Sequence, residues 1–259
     1  MKFEVKYNRY WLEIIRIYDE IAPYFLGDIA ELNFPIDESK AKRIFDLIYP
    51  DENILLNFVD QNKITDSKCK ALMELIPLDE KRWDQAAEFL KEFAPKLEKR
   101  LNEISPGLSE HILTFFGLTT PANVKVMLGF SDESDFIRGS QISDFPLIGL
   151  QTARQKDVDS HVRVVVHEIL HYMIKSSNLR EKFKRFKNPR MSEEALLQFF
   201  ASRGVLTEKL NLGIKFDVES IKYSRCNEEI QYFKPFMHEY LSRPINKTVI
   251  KFLEDKKVL

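Results

Sequence analysis

The sequence predicts an α+β protein that is mostly helical and has one small β-sheet in the middle of the chain. Three observations lead to this class. Apolar residues recur at helical spacing through the first hundred residues, strand-like stretches lie between about residues 111 and 151, and helical spacing returns from about residue 157 to the end. We therefore expect a helical N-terminal region over residues 1–104 and a second region over residues 105–259 that contains the sheet. The first region could be a lobe of the same domain as the second.

The helices of the first region are predicted from the spacing of their apolar residues and from the prolines that bound them. In chain order they are a helix over 10–21 closed by Pro23, a helix from 37 or 39 to 49, an apolar run of uncertain type over 54–59, a helix over 66–76, and a long amphipathic helix over 79–104. Pro95 is expected to kink or split the last of these, because proline removes a backbone donor.

The strands of the sheet are predicted from short apolar or alternating runs. His111–Leu118 is rich in β-favouring residues, and Val124–Phe130 alternates more regularly. Phe145–Gln151 reads as an extended segment, and its Pro146 and Gly149 suit an edge strand better than a central one. The segment between the last two runs is acidic and rich in turn-forming residues.

Composition excludes several classes of protein. The 259 residues carry 39 Lys and Arg against 40 Asp and Glu, so the net charge is −1, and a dedicated nucleic-acid binder would carry a basic surplus. No apolar run approaches the ~20 residues that cross a bilayer, and no signal peptide is visible. The two cysteines, Cys69 and Cys226, do not form a disulfide framework, so we expect a reduced, cytoplasmic setting. The oligomeric state is not predicted.

The stretch that carries chemistry is His167-Glu168-Ile169-Leu170-His171, an H-E-x-x-H motif within an apolar, helical run. Positions i and i+4 lie on one face of an α-helix, so the two imidazoles can hold one metal ion. Glu168 lies about 100° round the helix from His167, from where its carboxylate can reach a metal-bound water without being a ligand. The alternative is a pair of ordinary histidines on a buried or exposed helix face.

A third protein ligand has to come from elsewhere, because catalytic zinc sites usually have three. No histidine follows His171 until His238, whereas a second helix carries the pair Glu193-Glu194. Asn188 followed by Pro189 is a typical helix start, so this helix is expected to begin there. The acidic pair could also be no more than a charged first turn favoured by the helix dipole.

With these residues the sequence resembles the gluzincin branch of the zincin metallopeptidases, over roughly residues 124–204. The family pattern is H-E-x-x-H followed, some twenty or more residues later, by a glutamate that usually precedes Gly or Ala. His167, Glu168 and His171 match the first part, and Glu194-Ala195, after 22 intervening residues, is the best match to the second. The resemblance implies a zincin-like catalytic domain with an active-site helix and says nothing about the first hundred residues.

The resemblance implies that His167, His171 and Glu194 bind Zn²⁺, with Glu193 as the rival third ligand. Only one of the two glutamates can point at the metal, because they lie about 100° apart on a helix. The implied activity is a zinc-dependent metallopeptidase that hydrolyses a peptide or protein substrate with a metal-activated water, and Glu168 is its general base. A non-peptide amide hydrolase and a non-catalytic binding protein on a zincin scaffold are the alternatives.

Further residues are assigned less directly. A donor to the oxyanion is expected, and the candidates are Tyr223, Tyr232 and His238, each of which could instead be ordinary packing. Gln198 could accept a hydrogen bond from a ligand histidine or be an ordinary polar residue. Residues 145–151 could bind substrate by strand addition or be an ordinary strand. The basic segment Arg180–Arg190 could attract anions, or be a solvated helix face with Phe183 and Phe186 turned to the core.

Overall fold

The computed structural model describes residues 1–26, 30–32, 36–49, 52–59, 66–76, 78–131, 137–142, 145–153, 156–177, 179–244 and 246–259. Within these residues the chain is mostly helical and has one four-stranded mixed sheet, so the predicted α+β class is confirmed. No helix in the described ranges combines the length and the apolar character needed to cross a membrane.

One strand lies at the N-terminus, a series of helices separates it from three consecutive strands, and the described residues after these strands contain only helices. The strands are β1 Lys2–Tyr7, β2 Asn123–Ser131, β3 Arg138–Ile142 and β4 Leu147–Ala153. The α-helices are α1 Arg9–Phe25, α2 Glu38–Ile48, α3 Ser67–Leu75, α4 Glu80–Phe116, α5 Val158–Ser176, α6 Arg180–Phe183, α7 Pro189–Gln198, α8 Val205–Lys209, α9 Asn227–Leu241 and α10 Val249–Asp255. Short 3-10 helices cover Glu52–Phe58, Val218–Ser220 and Ser224–Cys226.

The sheet has the strand order β1-β2-β4-β3, with β2 and β4 parallel and β3 antiparallel to β4. Val126 lies beside Ile148 in the parallel pair, and Gln141 lies beside Ile148 in the antiparallel pair. β4 is therefore paired on both sides, and the expectation that residues 145–151 form an edge strand is wrong. Strands β1 and β3, which sequence patterning did not identify, are the edges. The prediction failed because edge position depends on which strands pair on each side, and local Pro and Gly do not determine that.

Two compact units make up the chain. The N-terminal unit contains Glu4–Lys96 and Lys125–Lys156, and the C-terminal unit contains Met1–Phe3, Leu97–Val124 and Asp157–Leu259. Each unit therefore combines stretches from both sides of residue 104. In the N-terminal unit, α1, α2 and α3 share an apolar core with Met127 and Leu147 of the strands.

The longest helix, α4, runs from Glu80 to Phe116, and this corrects two predictions. Pro95 does not split the helix, and His111–Leu118 is helical up to Phe116 rather than a strand. Ile112 and Phe115 are buried while Leu113 is 56% exposed, which is the one-sided burial of an amphipathic helix. The helix ends where Gly117 adopts a φ of +70° and its N–H donates to the Leu113 carbonyl at 2.8 Å.

The helix start signals were more informative than the proline signals. Asp37 is the N-cap of α2 and Asn188 is the N-cap of α7, as the sequence predicts. Helix α1 instead continues past Pro23 to Phe25, so the expected end was two residues too early. The uncertain run over residues 54–59 falls largely in a 3-10 helix.

Candidate metal centre

Helix α5 carries the H-E-x-x-H motif and is fixed at its start by its own sequence. The Asp157 side chain accepts a hydrogen bond from the Ser160 N–H at 2.6 Å and caps the first turn. Arg163 donates to the Leu212 carbonyl at 2.7 Å and to the Ser160 hydroxyl at 2.8 Å. The buried apolar residues of the helix are Val162, Val165, Val166, Ile169, Leu170, Met173 and Ile174. This packing fixes the rotation of the helix, and therefore the direction in which its histidines point.

Helix α7 delivers the carboxylates. Asn188 caps it by accepting a hydrogen bond from the Met191 N–H at 3.3 Å, and Pro189 occupies the first helical position. The apolar run Ala195–Leu197 is buried, and α7 packs against α5. The pair Glu193-Glu194 lies in the second turn, so a first-turn interaction with the helix dipole does not account for it.

Three of the residues named from the sequence come together between these helices. The Nε2 atoms of His167 and His171 are 3.1 Å apart. His171 Nε2 lies 2.9 Å from Glu194 Oε2, and His167 Nε2 lies 3.3 Å from Glu194 Oε1. Among the described residues, these three side chains form a group whose ligand atoms all lie within 4.8 Å of one another.

This group fits a small divalent cation. Two ligands of a tetrahedral zinc ion, each 2.0–2.1 Å from the metal, are about 3.3 Å apart. The observed separations of 2.9–3.3 Å are close to that value, so a small movement of the side chains admits the ion. The three side chains keep 11–17% of their surface exposed, which leaves a side open to water or substrate.

Comparison of the chain with protein-family models, with curated proteins and with solved structures found no match. The chemistry of the site is therefore argued from its own residues.

Glu193 approaches His171 from the other side of the ring. Its Oε1 atom lies 2.8 Å from His171 Nδ1, so the two adjacent glutamates reach the two different nitrogens of one imidazole. Arg180 donates to both oxygens of Glu193, from Nε at 2.8 Å and from Nη2 at 3.0 Å. Glu193, named as the rival ligand, thus faces away from the Nε2 atoms.

The surroundings move the pKa values of these groups in opposite directions. Burial lowers the pKa of His171, but the hydrogen bonds with Glu193 and Glu194 and the charge of Glu168 outweigh it, and the pKa rises to about 9. Burial raises the pKa of Glu194, but the hydrogen bonds with His167 and His171 outweigh it and hold that pKa well below its usual range. The metal-free site is therefore a protonated imidazole held between carboxylates, and a metal has to displace the proton on Nε2.

His167 is held differently from His171. Its Nε2 faces the cluster, but its Nδ1 is buried and has no hydrogen-bond partner in the described part of the chain. Buried polar atoms are usually satisfied, so this nitrogen lacks the support that Glu193 gives to His171.

Glu168 and Tyr223 lie close enough to the cluster for electrostatic interaction with its members. The charge of Glu168 raises the pKa of His171. Burial raises the pKa of Tyr223, and the charges of Glu194 and Glu168 raise it further. Tyr223 is half-buried and precedes the 3-10 helix Ser224–Cys226, which packs against α7. It is the candidate oxyanion donor whose surroundings include the site.

The other candidate donors have different surroundings. Tyr232 is 48% exposed and packs among Phe186, Phe233 and Phe236. His238 is exposed near the end of α9. Neither residue has a described contact with the His–Glu group.

Gln198 contacts a member of the cluster, but not in the predicted way. Its Nε2 donates to Glu194 Oε1 at 2.6 Å, one helical turn away. The described contact of Gln198 is with Glu194 and not with a ligand histidine, so the prediction that it accepts a hydrogen bond from one is wrong. Gln198 instead holds Glu194 in the orientation that faces the two rings.

Sequence reasoning missed the role of Arg180. It treated the segment Arg180–Arg190 as one basic stretch, and several members do pair locally: Lys184 with Glu181, Lys182 with Glu254, and Arg185 with the Lys257 carbonyl. Phe183 is buried, as expected. Nothing in the local pattern separates Arg180 from its basic neighbours, because its partner lies 13 residues further along the chain.

Cys226 lies near the cluster but is an unreactive thiol. Burial, with the charges of Glu194 and Glu229, raises its pKa to about 12. Nucleophilic and metal-binding cysteines react as thiolates, so the surroundings of Cys226 argue against either role.

Proposed function

We propose that this protein is a zinc-dependent metallopeptidase of the gluzincin type, with His167, His171 and Glu194 as the zinc ligands. The observation that carries the proposal is the convergence of the two Nε2 atoms and the Glu194 carboxylate at separations of 2.9–3.3 Å. Two imidazoles, one carboxylate and an open side are the donor set of catalytic zinc sites. The H-E-x-x-H motif supplies the first two ligands, and α7 supplies the third after the spacing typical of that clan.

A bound zinc ion would supply Lewis-acid activation of a water molecule and of the scissile carbonyl. Glu168 is the proton carrier of this proposal. It takes the proton from the attacking water and returns it to the leaving amine, a role that needs a carboxylate beside the ligands but not among them. Its electrostatic effect on both His171 and Tyr223 supports that position.

Tyr223 is the proposed donor to the oxyanion that forms at the substrate carbonyl. The carboxylates around it raise the pKa of its phenol, so the hydroxyl keeps its proton and can donate it in a hydrogen bond.

The test separates hydrolysis from metal binding alone. The protein is loaded with zinc, its metal content is measured by mass spectrometry, and turnover is screened on a peptide library and on small amides. Glu168→Gln is expected to keep one zinc per chain and to lower turnover by about 10²–10⁴-fold, because the proton carrier is lost. Glu110→Gln, a change of the same kind at an exposed position on α4, is the matched control and keeps wild-type turnover.

Three other results would contradict the proposal in different ways. A zinc-free wild-type protein under loading conditions would remove the metal centre. Turnover of small amides but not of peptides would replace the peptidase with the amide hydrolase. Stoichiometric zinc without turnover on any substrate would favour a binding protein.

A further inference from the structure

Glu193 and Glu194 are neighbours in the sequence, yet they contact opposite ends of the same ring. Glu194 faces Nε2 of His171 at 2.9 Å, and Glu193 faces Nδ1 at 2.8 Å. Either carboxylate could in principle have been the ligand. What separates them is the residue that binds Glu193 from the other side.

Arg180 holds Glu193 by a two-point contact. Its Nε and Nη2 atoms donate to Oε2 and Oε1 at 2.8 Å and 3.0 Å, which is the planar fork that guanidinium and carboxylate groups form. Both oxygens of Glu193 are thereby engaged, and Oε1 also meets His171 Nδ1. The fork fixes the plane of the carboxylate as well as its position.

The Glu193 side chain is only 3% exposed, while that of Arg180 is 46% exposed. A buried carboxylate needs a charged partner, and Arg180 supplies one while keeping part of its own surface in water. Arg180 lies in α6, which packs against α7, so the two residues are brought together by adjacent short helices.

The consequence for His171 follows from hydrogen-bond chemistry. A carboxylate can only accept, so His171 Nδ1 has to carry the donated hydrogen. In the neutral imidazole the lone pair then lies on Nε2, which is the atom facing His167 and Glu194. The chain Arg180–Glu193–His171 therefore selects the ring orientation and the tautomer that a metal ligand needs.

We propose that Arg180 is a positioning residue of the metal centre, which acts through Glu193 to hold His171 ready to bind zinc and keeps Glu193 from replacing Glu194 as the ligand. This inference depends on the zinc site of the proposed function, but not on peptidase activity. The contact between Arg180 and Glu193 supports His171 but not His167, whose Nδ1 has no such partner among the described residues.

The first experiment measures zinc affinity by competition with a chromophoric chelator. Arg180→Ala is expected to weaken zinc binding by about 10–100-fold, the usual cost of removing support behind a ligand. Arg180→Lys keeps the charge but loses the fork, so it is expected to recover only part of the affinity. Arg185→Ala is the matched control, because Arg185 is an exposed arginine of the same basic segment that donates to the Lys257 carbonyl.

The second measurement is one that a general loss of stability would not change. In the cobalt-substituted protein, Arg180→Ala is expected to alter the visible absorption spectrum, since the ligand field changes when His171 shifts or Glu193 enters. Glu193→Gln is expected to change the spectrum in the same sense, and the Arg185→Ala spectrum stays that of wild type. Thermal melts of the metal-free variants identify any variant that is unfolded.

The outcomes separate this inference from the proposed function. Wild-type zinc affinity and a wild-type cobalt spectrum in folded Arg180→Ala would overturn the positioning role while leaving the metal centre in place. Should wild type bind neither zinc nor cobalt, the proposed function fails. NMR of the metal-free protein then tests whether Arg180, acting through Glu193, holds the His171 ring. There, the His171 Nδ1–H signal is expected to be protected from exchange in wild type and exposed in Arg180→Ala, and equal protection would overturn the inference.

Discussion

Helix α5 carries one histidine in its first turn and another further along, and their electrostatic surroundings shift their pKa values in opposite directions. His161 is fully buried, and its Nδ1 lies 2.7 Å from the Asp157 backbone carbonyl oxygen. Burial and the charge of Arg163 lower its pKa, and the effects of Asp157 do not reverse this. His171, ten residues later, is also largely buried, but the carboxylates of Glu193, Glu194 and Glu168 raise its pKa to about 9.

The difference shows that burial alone does not decide the direction in which the pKa of a histidine moves. Both rings lose most of their contact with water, and what differs is whether the carboxylates around the ring outweigh the effect of burial on its pKa. The start of α5 uses its histidine to pack and to continue the helix. The middle collects charged groups around a common point, as metal sites do.

The largest expected effect compares these two regions by the same substitution. His171→Phe removes a proposed ligand, and His161→Phe removes a buried ring that is not one of the proposed ligands. Four-ligand sites bind zinc with about 10–16 kcal/mol, or roughly 3 kcal/mol per ligand, so His171→Phe is expected to weaken zinc binding by about 100-fold or more. His161→Phe is expected to bind zinc with wild-type affinity, as measured by chelator competition. Equal losses of zinc affinity in both variants would mean that His161 matters for zinc binding as much as His171 does.

Sequence reasoning reached the site because its signals are local. The spacing of His167 and His171 needs only the helical repeat, and the Asn188-Pro189 start identifies α7 without any knowledge of the fold. The position of Glu194 follows because α5 and α7 are close in the chain and pack together.

The failures concern contacts that local sequence patterns do not show. Whether β4 is an edge is decided by the pairing of β2 and β3 on its two sides, and β1 pairs with a strand more than a hundred residues away. The β-favouring run after His111 became helical because its apolar residues suit a one-sided helix as well as a strand. Arg180 was indistinguishable from the other basic residues of its segment until its contact with Glu193 was known.

A smaller effect is expected from the cap that starts α5. Asp157→Ala removes the side chain that accepts from the Ser160 N–H at 2.6 Å, and loss of such a cap costs about 1 kcal/mol. The His161 contact uses the backbone carbonyl of residue 157, which the substitution keeps. We therefore expect a lower free energy of unfolding in urea with no change in zinc affinity. A change in affinity comparable to that of Arg180→Ala would show that the first turn helps to position the ligands.

The smallest expected effect is a pH dependence from His161. Its pKa is lower in the folded protein than the ordinary 6.5, so below pH 6.5 the unfolded chain binds more protons than the folded one. Stability is therefore lost as the pH falls from 6.5 through the folded pKa. His171 gives the opposite sign in the metal-free protein: its stabilisation is complete below 6.5 and is lost as the pH rises through about 9.

Urea unfolding at several pH values, with a chelator present, tests these two opposite pH dependences of stability. The curve for His161→Phe is expected to lose less stability than wild type on acidification below pH 6.5, and to run parallel to wild type between pH 7 and 9, where His171 dominates. If the two proteins instead lose stability in parallel on acidification, His161 titrates alike in the folded and unfolded chain. The contrast between the two regions of α5 would then rest on the carboxylates around His171 alone.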